Sequence, residues 1–198
     1  MKIRFAAVAP ALLLLSAGPA FAHLDPVEHG SFAAGFTHPL FGTDHVLAMV
    51  AVGLWAAMLG GRAVWAVPAA FVGVMALGFA SSFAGIALPF VEPTILASVV
   101  AIGFLVALAV PVPVGVGMAV VGFFALFHGY AHGGEMGEAT ALRYAAGFAV
   151  ATALLHAAGV GAGLGLGRLF SDGAGRLVTR LAGGLTALSG VWLMMVAG

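Results

Sequence analysis

Apolar residues run along this chain in long unbroken stretches, and polar residues fall almost entirely between them. After an N-terminal segment, six stretches lie near 40–60, 63–86, 92–110, 112–131, 139–166 and 176–197. At about 1.5 Å of rise per residue, each is long enough as a helix to cross a hydrocarbon core of ~30 Å. The breaks are short: Gly60-Gly61-Arg62, Leu88 to Pro93, Pro111-Val112-Pro113, His132 to Glu138, and Arg168 to Arg176. Links this short predict that helices adjacent in sequence run antiparallel. The expected fold is therefore all-α, a polytopic membrane helix bundle of six transmembrane helices.

The first residues have a different pattern. Lys2 and Arg4 precede an apolar run from Phe5 to Ala17, and Ala20-Phe21-Ala22 follows as a small-x-small site. These are the parts of a secretory signal peptide cleaved after Ala22. The expected organisation is a signal peptide over 1–22 and a single six-helix membrane domain over 23–198. Charge distribution agrees with a start outside the membrane. Arg62, Arg168, Arg176 and Arg180 fall at the inner side of that topology, whereas Arg143 stands outside with the acids Asp25, Glu28, Asp44, Glu92, Glu135 and Glu138.

Composition restricts the function. Of 198 residues 63% are hydrophobic and 7% charged, with a mean hydropathy of +1.16, so lipid must cover most of the surface. Seven cations balance seven acids, which excludes the basic stripe a nucleic-acid binder needs. The absence of cysteine removes disulfides, thiolate metal sites and iron–sulfur clusters together. Glycine is frequent, and the run Gly159 to Gly167 matches neither phosphate-binding glycine motif. Its i, i+4 glycines predict close helix packing instead.

Histidine is the anomaly, with seven in a chain that otherwise avoids polar side chains. Ionisable groups in a span are costly, so each is a functional candidate. His38, Asp44 and His45 cluster at the outer start of the first span, and His128, His132 and Glu135 at the outer end of the fourth. His128 and His132 share one helical face, a spacing that lets two imidazoles meet one ion at ~2.1 Å or simply sit at the headgroups. Glu135 could be a further ligand or an acceptor that fixes a tautomer. In an unbroken helix His38 and His45 would lie ~10.5 Å apart along the axis, so sharing an ion requires a bend. The His38–Pro39 step and Gly42 are the weak points. Pro39 suits a first helical position and disfavours helical dihedrals at His38. Met49, one turn below His45, is either a soft ligand or core packing. His156, deeper in the fifth span, reads equally as a downstream station or as buried filler. His23, once freed at the mature N-terminus, could chelate a metal or belong to a solvated tail. This imidazole and carboxylate set suits Ni, Co, Zn or ferrous iron, and spacing does not choose among them. It also allows a different class of function, an intramembrane zinc-dependent hydrolase assisted by Ser81 and Ser82.

The stretch HPLFGTDHVLAMVAVGLWA (38–56) carries a His-Pro-x-x-Gly-x-Asp-His signature, and FHGYAHGGE (127–135) follows in the expected order. Together they resemble the HupE/UreJ family of bacterial membrane proteins, over essentially the whole chain. That resemblance implies a secondary nickel permease, in some members a cobalt permease, associated with hydrogenase or urease maturation. It implies His38, Asp44 and His45 as the main metal residues, joined by His128, His132 and Glu135. It also implies Ni²⁺ (or Co²⁺) as cargo with no permanently bound cofactor, and an inner-membrane location with a periplasmic mature N-terminus. Hydrogenase or urease accessory proteins are the implied partners, and a homo-oligomer is compatible with the sequence. The nickel–cobalt permease family has a similar element with four residues before Asp-His rather than the five present here.

Overall fold

The computed structural model describes residues 31–85, 87–133, 138–170 and 173–197. The expected signal peptide, His23 and Glu135 lie outside the described residues. Those described are helical with short turns and contain no strand. The helices are α1 (Phe32–Phe41), α2 (Thr43–Leu59), α3 (Ala63–Ser82), α4 (Val91–Ala107), α5 (Val114–Gly133), α6 (Glu138–Leu169) and α7 (Ala174–Ala197).

Five of the six expected stretches coincide with single helices, α3 to α7. The first does not. A separate helix, α1, precedes it, capped by Ser31, whose hydroxyl accepts from the Ala34 N–H at 2.9 Å. Pro39 lies inside α1 rather than at a helix start, and His38 is helical despite preceding it. Pro39 has no N–H to donate to the Gly35 carbonyl, and the helix ends two residues later. At Gly42 the backbone turns extended (φ −77, ψ 112), and α2 departs at 80° to α1. Any residue could adopt that φ. Glycine leaves room here, since a Cβ would lie 3.0 Å from His45 Nδ1 and 3.2 Å from Asp44 Oδ1.

Helices α3, α5, α6 and α7 are long and apolar enough to cross a membrane, and the bent α1–α2 pair adds a fifth if it forms one span. Helix α4, with 17 residues, is apolar but shorter than those four. Large apolar side chains point outward all around the bundle, among them Trp65, Phe104, Phe123, Leu142, Leu154 and Leu185. Such a continuous apolar exterior identifies a multi-pass membrane protein, because water would not tolerate it.

The closest helix pairs are not neighbours in sequence. Helix α3 packs on α5, α4 on α7, and α6 on both α1 and α2. Glycines make these approaches. Gly78 and Gly129 set α3 and α5 backbone to backbone, Gly53 and Gly159 do so for α2 and α6, and Gly35 and Gly147 for α1 and α6. Register along the contacts shows α3 parallel to α5 (67 beside 117, 82 beside 133) and α2 parallel to α6 (53 beside 159, 57 beside 163). Short links thus set antiparallel order along the chain, while the tightest packing joins helices two to five places apart in sequence. Of the 159–167 glycine run, Gly159 and Gly163 make the close contacts; Gly161, Gly165 and Gly167 face open space.

The core is filled by Met49, Trp55, Phe71, Met75 and Phe148, all essentially inaccessible. The Trp55 indole N–H donates to the Val110 carbonyl at 3.1 Å and secures the α4–α5 turn. Arg62, Arg168, Arg176 and Arg180 gather at the end of the bundle where α2, α4 and α6 finish. There the Arg180 Nε–H donates to the Ala107 carbonyl at 2.8 Å, covering the C-terminus of α4. The opposite end holds the histidine segments.

Candidate metal centre

The break at Gly42 turns His38, on the last turn of α1, back toward His45, on the first turn of α2. Their ring centroids are 5.3 Å apart, about half the axial separation an unbroken helix would impose. His132, on the last turn of α5, completes the group, with its ring 4.3 Å from His38 and 5.0 Å from His45. One nitrogen from each of the three lies within 4.8 Å of the others. An ion bound at ~2.1 Å allows at most ~4.2 Å between two donors, so the three nitrogens stand close to the spread that one ion can span.

Proton positions follow from the neighbours. His45 Nδ1 lies 2.9 Å from Asp44 Oδ2, an ion-pair distance, although the two are not aligned as a hydrogen bond. A carboxylate only accepts, so its field places the His45 proton on Nδ1 and leaves the Nε2 lone pair facing the cluster. That lone pair meets His132 Nε2 at 2.9 Å, where His132 donates. Asp44 thus orients the ligand and supplies negative charge beside it. Phe148 closes the inner wall, 5.0 Å from His132 and 5.8 Å from His45, and keeps the surroundings weakly polarisable.

His128 and His132 separate despite sharing α5. His128 is fully buried, its ring 5.1 Å from His45, and its Nε2–H donates to Ser98 Oγ on α4 at 3.0 Å. The Ser98 hydroxyl donates in turn to the Ile95 carbonyl at 2.6 Å, so its oxygen can only accept from the histidine. His128 therefore keeps Nδ1 as a free lone pair, buried and without a hydrogen-bond partner among the described residues. Changing Ser98 to Ala strands the Nε2–H at an expected cost of about 1–3 kcal/mol, read as a lower melting temperature in detergent. Ser98→Thr, which keeps the hydroxyl, should retain most of that stability.

Met49 sits in the apolar core. His156 is set apart from the triad, buried against Phe71 at 4.9 Å between ring centroids. Ser81 and Ser82, considered as helpers for a hydrolase, turn their hydroxyls to the Gly78 and Phe79 carbonyls at 2.7 Å each. Sequence reasoning missed Ser98, Phe148 and Phe71. A signal did exist for Phe148: Tyr144, Phe148, Thr152 and His156 recur every fourth residue, a single stripe down α6.

A bundle with an apolar exterior, a broken helix and buried imidazoles converging beside a carboxylate is a multi-pass membrane protein equipped to handle a metal ion. The HupE / UreJ protein family matches residues 11–193. Protein HupE of Rhizobium leguminosarum bv. viciae is similar, 47% identical over 179 residues that span 89% of this chain and 92% of that protein. No solved structure matches. The chain belongs to the HupE/UreJ family, a family of metal transporters rather than enzymes, associated with nickel and cobalt.

Proposed function

We propose that this protein is a secondary permease, independent of ATP, that carries Ni²⁺, and less readily Co²⁺, from periplasm to cytoplasm across the bacterial inner membrane. The observation that carries this reading is the convergence of His38, His45 and His132 at a broken helix, with Asp44 beside His45. Broken helices place ion sites inside transporters because the interruption lets side chains from two half-helices face one cavity. Six crossings, α2 to α7, put the arginine end in the cytoplasm by the positive-inside rule and the histidine end in the periplasm. Signal cleavage after Ala22 leaves His23 on that same periplasmic side, where it and Glu135 add donors at the entrance.

The choice of nickel rests on the family, which is associated with nickel and cobalt, since a set of imidazoles and a carboxylate suits zinc and ferrous iron as well. The ion is cargo, and no resident cofactor is needed. Cytoplasmic hydrogenase or urease maturation proteins, as metal sinks, would keep the flow inward. Expression in a metal-starved bacterial strain, with ⁶³Ni uptake in competition against Co, Zn and Fe, tests the assignment. Cobalt should compete best, and equal competition by zinc would overturn the choice of nickel.

A further inference from the structure

Beneath the triad, the bundle buries a second group of nitrogen donors that the entrance does not use. His156 is 1% exposed, and neither of its ring nitrogens has a hydrogen-bond partner among the described residues. It lies two turns beyond Phe148 on α6, about 12 Å further toward the arginine end. His128 lies one turn beyond His132 on α5, about 6 Å deeper, with its Nδ1 lone pair held free by Ser98. Phe71 of α3, wholly buried, sits against both rings at 5.6 Å and 4.9 Å. Beyond His156, a cavity of about 560 Å³ reaches Ala57, Gly163 and Gly167 and ends at Arg168 and Arg176.

As mere filler, His156 is a poor choice. Two unpaired ring nitrogens in an apolar core are unfavourable, and leucine would fill the space at no such cost. The donors instead form a descending series: three imidazoles with a carboxylate, then His128, then His156, then a wide cavity. We infer that His128 Nδ1 and His156 form an inner station for the transported divalent cation, with the Phe71 ring as the partition the ion passes. This rests on the transport reading above and adds a second stop to it. The Asp44 carboxylate lies against His45 and reaches His128 only through its field, so the inner station holds a dication more weakly than the entrance. Conduction requires that combination: capture strong enough to enter, then holding weak enough to leave.

The test uses the full chain, purified and reconstituted in liposomes holding a nickel-sensitive dye, with equilibrium ⁶³Ni binding measured in detergent. His156→Leu should keep entrance binding within about twofold, match or exceed the wild-type melting temperature, and lower uptake at least about tenfold. His156→Gln, which retains polarity without an imidazole, should show the same loss of uptake and provides the measurement if the leucine variant fails to accumulate. Uptake within twofold of wild type in either variant would overturn the inner station. Loss of melting temperature and of entrance binding together with uptake would also overturn it, by showing a structural role. His45→Ala serves as the control for the reading beneath. If wild type takes up nickel and His45→Ala does not, failure at His156 counts against the inner station alone; if wild type takes up none, the transport reading itself falls.

Discussion

Replacing His45 with alanine is expected to reduce ⁶³Ni accumulation in metal-starved cells to background, a loss on the order of 100-fold or more, while the protein still reaches the membrane. Among the described residues, His45 is the one that meets His38, Asp44, His128 and His132 together. Its Nε2 faces His132 at 2.9 Å, its ring lies 5.3 Å from His38 and 5.1 Å from His128, and its Nδ1 lies 2.9 Å from Asp44. Without it the carboxylate is left with no imidazole to orient, and His38 and His132 alone offer only two donors. Asp44→Asn separates charge from orientation. The amide oxygen still turns its negative end toward Nδ1–H, so the tautomer survives while the full negative charge is lost. A fall of about 10–100-fold in apparent metal affinity is expected for that variant. Immunoblots of the membrane fraction should show both variants at wild-type abundance, and wild-type nickel accumulation by both would remove the entrance from this end of the molecule.

Much of this arrangement is legible in the chain because lipid makes polarity informative. In a water-soluble protein, seven histidines would be scattered among many surface groups; here nearly every ionisable residue marks a site or a membrane side. The bend at Gly42 follows from chemistry alone, since His38 and His45 can meet only if the helix between them breaks. Other features depend on which helices touch, and sequence does not carry that. Ser98 stands in an ordinary apolar span, and nothing local shows that α4 brings it to His128 on α5. The division of labour between His128 and His132 has the same origin. Their spacing places both on one face, but Ser98 claims one ring and the α1–α2 break claims the other. The parallel contact of α3 with α5 is likewise invisible to loop lengths, which constrain only consecutive helices.

That α3–α5 contact determines the second large effect, expected on changing Gly129 to Ala. Gly129 separates His128 from Tyr130 and reads in the sequence as part of a histidine motif. In the fold it is a packing residue. A Cβ added there would run into the Met75 carbonyl, with the Met75 carbonyl carbon at 2.7 Å and the Phe79 nitrogen at 2.8 Å. Carbon contacts settle at about 3.5–4.0 Å, so the two helices must part by on the order of 1 Å. Backbone cannot rotate aside as a side chain can, and one turn further on Gly133 presses on the Phe79 carbonyl in the same way. The cost expected for such overpacking is about 1–3 kcal/mol, seen as a lower melting temperature in detergent. Function should suffer more than stability. Helix α5 carries both His128 and His132, and a displacement of that size breaks the 3.0 Å bond to Ser98 and opens the 2.9 Å contact with His45. Nickel uptake is expected to fall at least about tenfold. The control is Gly161→Ala, whose added methyl meets nothing within 4 Å. There the helix gains propensity without a clash, and both stability and uptake should hold or improve. A Gly129→Ala protein that unfolds and transports like Gly161→Ala would show that this helix pair does not set the positions of the histidines.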